Sequence, residues 1–442
     1  MDSDKENVRI APPRKQLGVR HLQATLMALC CLVAYALRAN LSVAIVAMVP
    51  PPSNSTEERI GPKSESSLPS LITLTSSLQV FPWDEKTTGL LLGAFFWGYM
   101  LCQIPGGLLA QRLGGSRLLA GALFVTAAAT LLLPLSAEYG GWMAVFANRV
   151  VQGLSQAPIF PSIYNLLGVW MPPTERDMIA TCILAFQMLG TVIANPLCGF
   201  MAAQWGWPSI FYSFGMVGVA TGTAILHLGA DRPALHRSIS PEELAFIETS
   251  MNAAEPNEVR PETPPTPWKD VLSSVPVWMV WITMSVQDMA YFTFLGTIPS
   301  YLAKVLNIPL EENGLLSSLP YLTGFVTCLG FTAATTVVQK RLSTTNTRKL
   351  FNLIASVGIS VSVVLMGYVS SITASVTLMC LSMGFMSATF VAVQTNALDM
   401  APLHAGPIYA VGNTMAAVLG ALGPYLVGFV VTESVRQIPQ RL

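Results

Sequence analysis

Charge is what this 442-residue sequence has least of: Asp, Glu, Lys and Arg together make up 11% of it, against about 25% in ordinary soluble domains. A soluble chain of this length could not cover its surface with so few charges. The 24 basic and 24 acidic residues cancel, so there is no basic excess to suggest a nucleic-acid partner. Cysteine is sparse and placed without ligand spacing. Cys30, Cys31, Cys102, Cys182, Cys198, Cys328 and Cys380 all fall inside apolar stretches and read as small packing residues, not as a redox or metal centre. No metal and no organic cofactor is expected. Neither a nucleophile with its base nor a nucleotide-binding loop is visible, so an enzyme is not expected. The first apolar block is too long for the core of a signal peptide and no clear small-residue cleavage site follows it, so it is expected to stay in the protein.

Hydrophobic residues supply 52% of the chain and the mean hydropathy is +0.54. They are cut into blocks of about 20 residues, the length an α-helix needs to cross about 30 Å of hydrocarbon. The blocks predict eleven spanning helices, at 22–49, 88–110, 118–137, 142–169, 178–203, 209–230, 274–302, 313–337, 350–369, 373–397 and 405–431. The fold class is therefore all-α, a polytopic protein with the lipid bilayer as its surroundings. Lys and Arg divide unevenly between the loops: with the N-terminus in the cytoplasm, sixteen of the 24 basic residues fall on the cytoplasmic side and six on the other, which fixes the expected orientation. The 50–87 loop then lies outside the cytoplasm, where Asn54-Ser55-Thr56 forms an N-glycosylation acceptor.

The chain reads as a cytoplasmic tail (1–21), a six-helix bundle (22–230), a polar linker (231–273), a five-helix bundle (274–431) and a short polar tail (432–442). Within the linker, Ser240-Pro241-Glu242-Glu243 looks like the cap of a short helix, and a proline-rich run from Pro261 to Pro267 follows. Two helical sets joined by a long connection is the layout of a transporter that binds its solute between halves.

Ionisable side chains in the hydrocarbon are costly and need a protein or aqueous setting. Three stand out: Arg38 near the middle of the first helix, Arg149 about two turns into the fourth, and Asp288 near the middle of the seventh. Arg149 also fits a snorkelling residue near a helix end, and Arg38 and Asp288 also fit a structural buried ion pair. The functional reading is a cavity in which two guanidinium forks neutralise an anion and one carboxylate couples H⁺ or Na⁺.

From Gly89 to Arg117 the chain reads GLLLGAFFWGYMLCQIPGGLLAQRLGGSR. This resembles the second helix and following loop of the anion/cation symporter branch of the major facilitator superfamily, which holds the sodium/phosphate cotransporters, sialin and the vesicular glutamate transporters. The likeness continues through Arg38 to Val46, Arg149-Val150-Val151-Gln152-Gly153, Trp170 to Arg176 and Asn396 to Pro402. Within the branch the chain looks most like insect-type inorganic phosphate cotransporters. The resemblance implies a two-bundle fold and cation-coupled symport, by Na⁺ or H⁺, of inorganic phosphate or a small organic anion through alternating access. The membrane it implies is the plasma membrane or an endolysosomal or vesicular one. It implies substrate contacts or cavity gating for Arg38 and Arg149, a cavity-facing Tyr99, and gating elements in Gly106, Gly107, Arg112 and Arg117.

Three departures bear on mechanism. Gln156 stands where sialin-like and glutamate carriers have a glutamate; Tyr164 and Leu92 stand where the glutamate carriers have histidines. Asp288 appears where the family pattern is neutral, which makes Asp288 and Gln156 the positions that bear on cation coupling. The family's twelfth helix has no counterpart after 431, and eleven helices would place the two ends on opposite faces. A non-transporting receptor or regulatory protein that keeps the fold is the alternative reading.

Overall fold

The computed structural model describes residues 18–49, 80–254, 266–304, 306, 308–369, 371–396, 400–401 and 405–437. Asn54 and its acceptor motif lie outside the described residues. Among the described residues every regular element is helical. The first bundle comprises α1 (Val19–Met48), α2 (Glu85–Leu113), α3 (Gly115–Gln156), α4 (Ile159–Trp170), α5 (Pro173–Trp205) and α6 (Trp207–Leu228). The linker holds α7 (Pro241–Ala254) and α8 (Trp268–Ser273). The second bundle comprises α9 (Val275–Lys304), α10 (Leu310–Val338), α11 (Thr344–Met366), α12 (Ile372–Met386) and α13 (Ala405–Gln437), with a π-helical turn at Phe390–Gln394 after α12.

Local chemistry sets these boundaries. The Asp84 carboxylate caps α2 by accepting from the Thr87 backbone N–H at 2.8 Å. Hydrogen bonds from the Thr87 side chain and backbone hold that carboxyl below its ordinary range. At the other end Gly114 takes φ 93°, a conformation open to glycine at little cost, and the chain turns at once into α3. The continuous run Gly115–Trp170 is 56 residues long, more than two crossings need. It folds back at Gly141, where φ is 60° and ψ is −157°. The hydrogen bonds across it are those of an antiparallel pair: Asn148 donates to Ser136 at 3.3 Å, Gln152 to Thr130 at 3.2 Å, and Thr126 and Ser155 share a bond of 2.8 Å.

The fourth apolar block, expected to be one helix over 142–169, is interrupted. Its helix stops at Gln156 and restarts at Ile159, because Pro158 lacks the N–H that would continue the ladder and its ring crowds the preceding turn. The last helix runs to Gln437, beyond the expected limit at 431. Among the described residues eight runs are long and apolar enough to cross a bilayer by length and composition, and one of them, Gly115–Trp170, is long enough for two crossings. Helices α9 and α13 are as long, at 30 and 33 residues, and Gln287 and Asp288 at the centre of α9 lower its apolarity.

In the first bundle α1 packs on α5 and α6, and α3 on α2 and α6; α2 against α13, α5 against α10 and α1 against α9 join the halves. In the second, α11 packs on α12 and the π turn. The most apolar stretches of α10 and α11 are only 22% and 17% buried. A cavity of about 860 Å³ opens between α9, α11 and the π turn, lined by Met279, Thr344, Arg348, Asn352 and Asn396 among others.

The contact that positions the centre of the molecule is glycine on backbone. A Cβ on Gly153 of α3 would strike the carbonyl oxygen of Phe95 on α2, and one on Gly98 would strike that of Val150. Two helices touching main chain to main chain is the small-residue packing that membrane bundles favour. Gly153→Val should force them apart and lower the unfolding midpoint of the purified protein by several degrees, from a cost of about 1–3 kcal/mol; an unchanged midpoint would contradict this packing.

Candidate functional site

The α2–α3 contact brings Arg149, one turn before Gly153, beside Phe95 and Tyr99, and α1 lays Arg38 against the same surface. Arg38 is 4% exposed and Arg149 2%. The carbon at the head of the Arg38 guanidinium stands 4.3 Å from the ring centre of Phe95, 4.5 Å from Tyr35, 4.7 Å from Tyr99 and 5.7 Å from Phe292. Three of these rings belong to the first bundle and Phe292 to the second. The head of Arg149 lies 5.5 Å from the ring centre of the same Phe95. Ring faces attract a desolvated cation by about 2 kcal/mol, which offsets part of the burial cost.

The hydrogen bonds of both arginines go to neutral groups. Arg149 donates from Nη1 to Gln152 Oε1 at 2.6 Å and from Nη2 to the Arg38 carbonyl at 3.1 Å. Arg38 donates from Nη2 to Gln156 Oε1 at 3.4 Å, and Gln156 in turn donates to the Ala34 carbonyl at 3.2 Å. Nε and Nη1 of Arg38 and Nε of Arg149 meet no acceptor among the described residues. No carboxylate among them pairs with either guanidinium. The expected alternative of an Arg38–Asp288 ion pair is therefore not formed, and Arg149 is no snorkelling residue.

Asp288 is 8% exposed. Its carboxylate accepts from Gln394 Nε2 at 3.1 and 3.4 Å. Gln394 ends the π turn, and its main-chain oxygen accepts from the Tyr164 hydroxyl of the first bundle at 3.1 Å. Tyr99, fully buried, accepts at its hydroxyl from Asn413 Nδ2 of α13 at 2.9 Å. Arg38, Arg149, Tyr99 and Gln156 are thus brought together, with Asp288 across the bundle interface.

The remaining predicted positions sit elsewhere. Gly106 and Gly107 lie under Pro158 and Pro161 of the α3–α4 break, and Gly107 also faces Ala410 of α13. Arg112 and Arg117 are exposed at the linker end. At that end Ser116 donates its backbone N–H to Asp231 at 2.8 Å, and Arg348 bridges the bundles through Asp177 at 3.2 Å. Arg20 pairs with Glu175 and with Glu243 of α7, at 3.5 and 3.7 Å. At the opposite end Asn195 donates to the Ser317 carbonyl at 3.3 Å. The bundles therefore touch on both sides of the arginine pair. The 860 Å³ cavity lies toward the linker, away from it. Among the described residues no group of three His, Cys, Asp or Glu is placed to hold a metal.

Sequence reasoning missed Tyr35, Phe95, Phe292, Gln394 and Asn413. Tyr35, Phe95 and Phe292 carried a usable signal, each lying one turn from a predicted residue on its own helix; Gln394 and Asn413 come from elements with no predicted site residue.

The sequence profile of the Major Facilitator Superfamily matches residues 24–424. The chain belongs to the major facilitator superfamily. It is 34% identical to Sialin of Ovis aries over 402 residues, covering 89% of this chain and 79% of that protein. Against the Drosophila melanogaster protein named "Putative inorganic phosphate cotransporter" it is 31% identical over 427 residues, covering 95% and 80%. With vesicular glutamate transporter 3 of Danio rerio the figures are 31% over 425 residues, 95% and 69%. Its branch is therefore the one that holds these transporters, and it is a multi-pass membrane protein. The fold matches a bacterial homolog of the human lysosomal transporter Spinster, inward-facing and unoccupied, with TM-score 0.62, 14% identity and coverage of 96% of this chain and 85% of that one. It also matches the partially occluded inward-open xylose transporter of E. coli, with TM-score 0.63, 12% identity and coverage of 93% and 91%.

If Arg38 lacks a counter-charge in this superfamily member, supplying one should stabilise it. Gln156→Glu places a carboxylate beside the guanidinium and should raise the unfolding midpoint by several degrees, about 1–3 kcal/mol. A lowered midpoint at neutral pH would contradict the unpaired charge.

Proposed function

We propose that the protein is a secondary active transporter that carries inorganic phosphate or a small organic anion together with a cation, H⁺ or Na⁺, by alternating access of its two bundles. The observation that carries this reading is the pair of buried guanidinium groups whose protein partners among the described residues are all neutral. A buried charge is retained only against compensation of several kcal/mol, and an anion with two or more oxygens supplies it through charge-assisted bonds to the free Nε and Nη1 atoms.

The chemistry assigns roles. Arg38 and Arg149 hold the anion. Tyr99 closes over Arg38 and, through Asn413, ties that surface to the second bundle. Gln156 orients Arg38 without neutralising it; being an amide, it takes up no proton, and the coupling role passes to Asp288. Gly106 and Gly107 permit the close approach of α2 to the α3–α4 break, while Arg112 and Arg117 stabilise one conformational state from the linker end. With the linker end facing the cytoplasm, as the basic residues indicate, substrate leaves or enters there when the Asp177–Arg348 contact opens. The printed name of the vesicular relatives supports a vesicular membrane, with the endolysosomal system and the cell surface as the other membranes of this reading.

Counterflow in proteoliposomes, with labelled phosphate and a labelled small carboxylate as separate probes, tests the assignment. Saturable exchange of at least one probe by the wild type is expected, with its loss by 100-fold or more in Arg38→Ala and Arg149→Ala. Arg→Lys at either position should also be poor, because a point charge does not reproduce the planar fork. Retained exchange with unchanged apparent affinity in both alanine variants would overturn the assignment.

A further inference from the structure

Gln394 presents half of its amide to Asp288 and leaves the other half unsatisfied. Nε2 donates to both carboxylate oxygens, whereas Oε1 of the same side chain, in a residue only 5% exposed, meets no donor among the described residues. A buried acceptor without a donor costs about 1–3 kcal/mol. Asp288 beside it is an acceptor too, and among the described residues no lysine, arginine or histidine pairs with it. Three acidic or amide oxygens are therefore gathered at one buried point with a single donor between them.

We propose that Asp288 and Gln394 together form the coupling-cation site, with Gln394 Oε1 as the ligand that completes it. This deepens the transport reading above and rests on it. A proton on Asp288 would be donated to Oε1 while Nε2 donates to the other carboxyl oxygen, giving a cyclic acid–amide pair. A sodium ion would take Oε1 and a carboxylate oxygen as hard oxygen ligands. Either requires Gln394 to reorient its amide, whose last torsion is broad and soft.

The site lies where cation loading can be felt by both bundles. Gln394 closes a π-helical turn, a feature that often marks functional positions, and its main-chain oxygen takes the hydroxyl of Tyr164 from the first bundle. The titratable and charged groups facing Asp288 are Arg38 and Tyr35 on α1, Tyr164 on α4, Tyr291 on α9 itself and Tyr409 on α13, with Tyr321 of α10 edge-on to Tyr291 at 6.2 Å. Arg38 is the one permanent charge among them. Its field opposes a cation at Asp288, and an anion seated on Arg38 cancels that field. Each solute then favours the other, and by linkage the effect is reciprocal.

The test uses purified, reconstituted protein and two variants, Gln394→Met, which keeps the volume and loses the amide, and Gln394→Glu, which keeps an oxygen and adds charge. Anion uptake is driven in one arm by a Na⁺ gradient at equal pH and in the other by a pH gradient without Na⁺; the arm that responds names the cation. Gln394→Met should raise the cation level for half-maximal uptake at least tenfold, and Gln394→Glu should lower it, while the anion KM measured at saturating cation moves less than twofold in both. A cation half-saturation within twofold of wild type in the folded variants, or cation and anion constants moving together, would overturn the proposal, as would a wild type indifferent to both gradients. A wild type that exchanges neither anion would overturn the transport reading instead. The site then still has its own readout: the unfolding midpoint of the solubilised wild type should rise with Na⁺ against choline or with acid, and Gln394→Met should flatten that response.

Discussion

Two positive charges held out of water, with no negative partner among the described residues, are the constraint on which the rest of this structure depends. Moving a guanidinium to the centre of a spanning helix costs about 2.5–3.5 kcal/mol even on the most permissive scale, and a second guanidinium close by adds mutual repulsion. Arg38 and Arg149 are nevertheless both buried, and Arg149 donates to the main chain of Arg38 itself. The protein recovers part of this cost with aromatic faces and neutral amide oxygens. It leaves the remainder to a ligand of opposite charge, which is how a binding site stays responsive: a carboxylate in place of Gln156 would satisfy Arg38 and dull it.

The packing exists to hold that arrangement rigid. Gly98 and Gly153 let α2 and the second limb of α3 meet backbone to backbone, so both arginines come within reach of the Phe95 ring and Tyr99 lies over one of them. Phe292 and Asn413 reach the same group from the second bundle. A movement of one bundle against the other therefore changes the surroundings of Arg38 directly. The bridges on either side, Asp177 to Arg348 toward the linker and Asn195 to Ser317 toward the opposite end, are polar contacts of the size that a solute's binding energy can exchange.

Much of this was legible in the sequence, because the bilayer simplifies the code. Apolar runs of fixed length gave the helices and the reversal near Gly141, and intramembrane charges are rare enough that Arg38, Arg149 and Asp288 identified themselves. The limits are equally physical. Pro158 was in plain view, but its apolar neighbours hid the break it causes. The aromatic cage looked like ordinary helix packing, since a ring that faces lipid and a ring that faces a guanidinium are written with the same letter. Asp288 was visible as a charge but its partner was not: Gln394 lies 106 residues away, in a turn whose π geometry no periodicity announces. A structural ion pair was the alternative reading for Arg38 and Asp288, and the structure instead gives each a glutamine.

The central claim concerns the ionic surroundings of two particular nitrogens, and nitrogen NMR of the purified protein, labelled with ¹⁵N-arginine, reads them directly. The Arg38 and Arg149 Nε–H signals are assigned by their disappearance in Arg38→Lys and Arg149→Lys. The account predicts that in the absence of substrate neither signal has the shift of a carboxylate-paired guanidinium, and that both move saturably as phosphate or a small carboxylate is added, with one common midpoint. Signals already at carboxylate-paired positions and indifferent to added anion would contradict it.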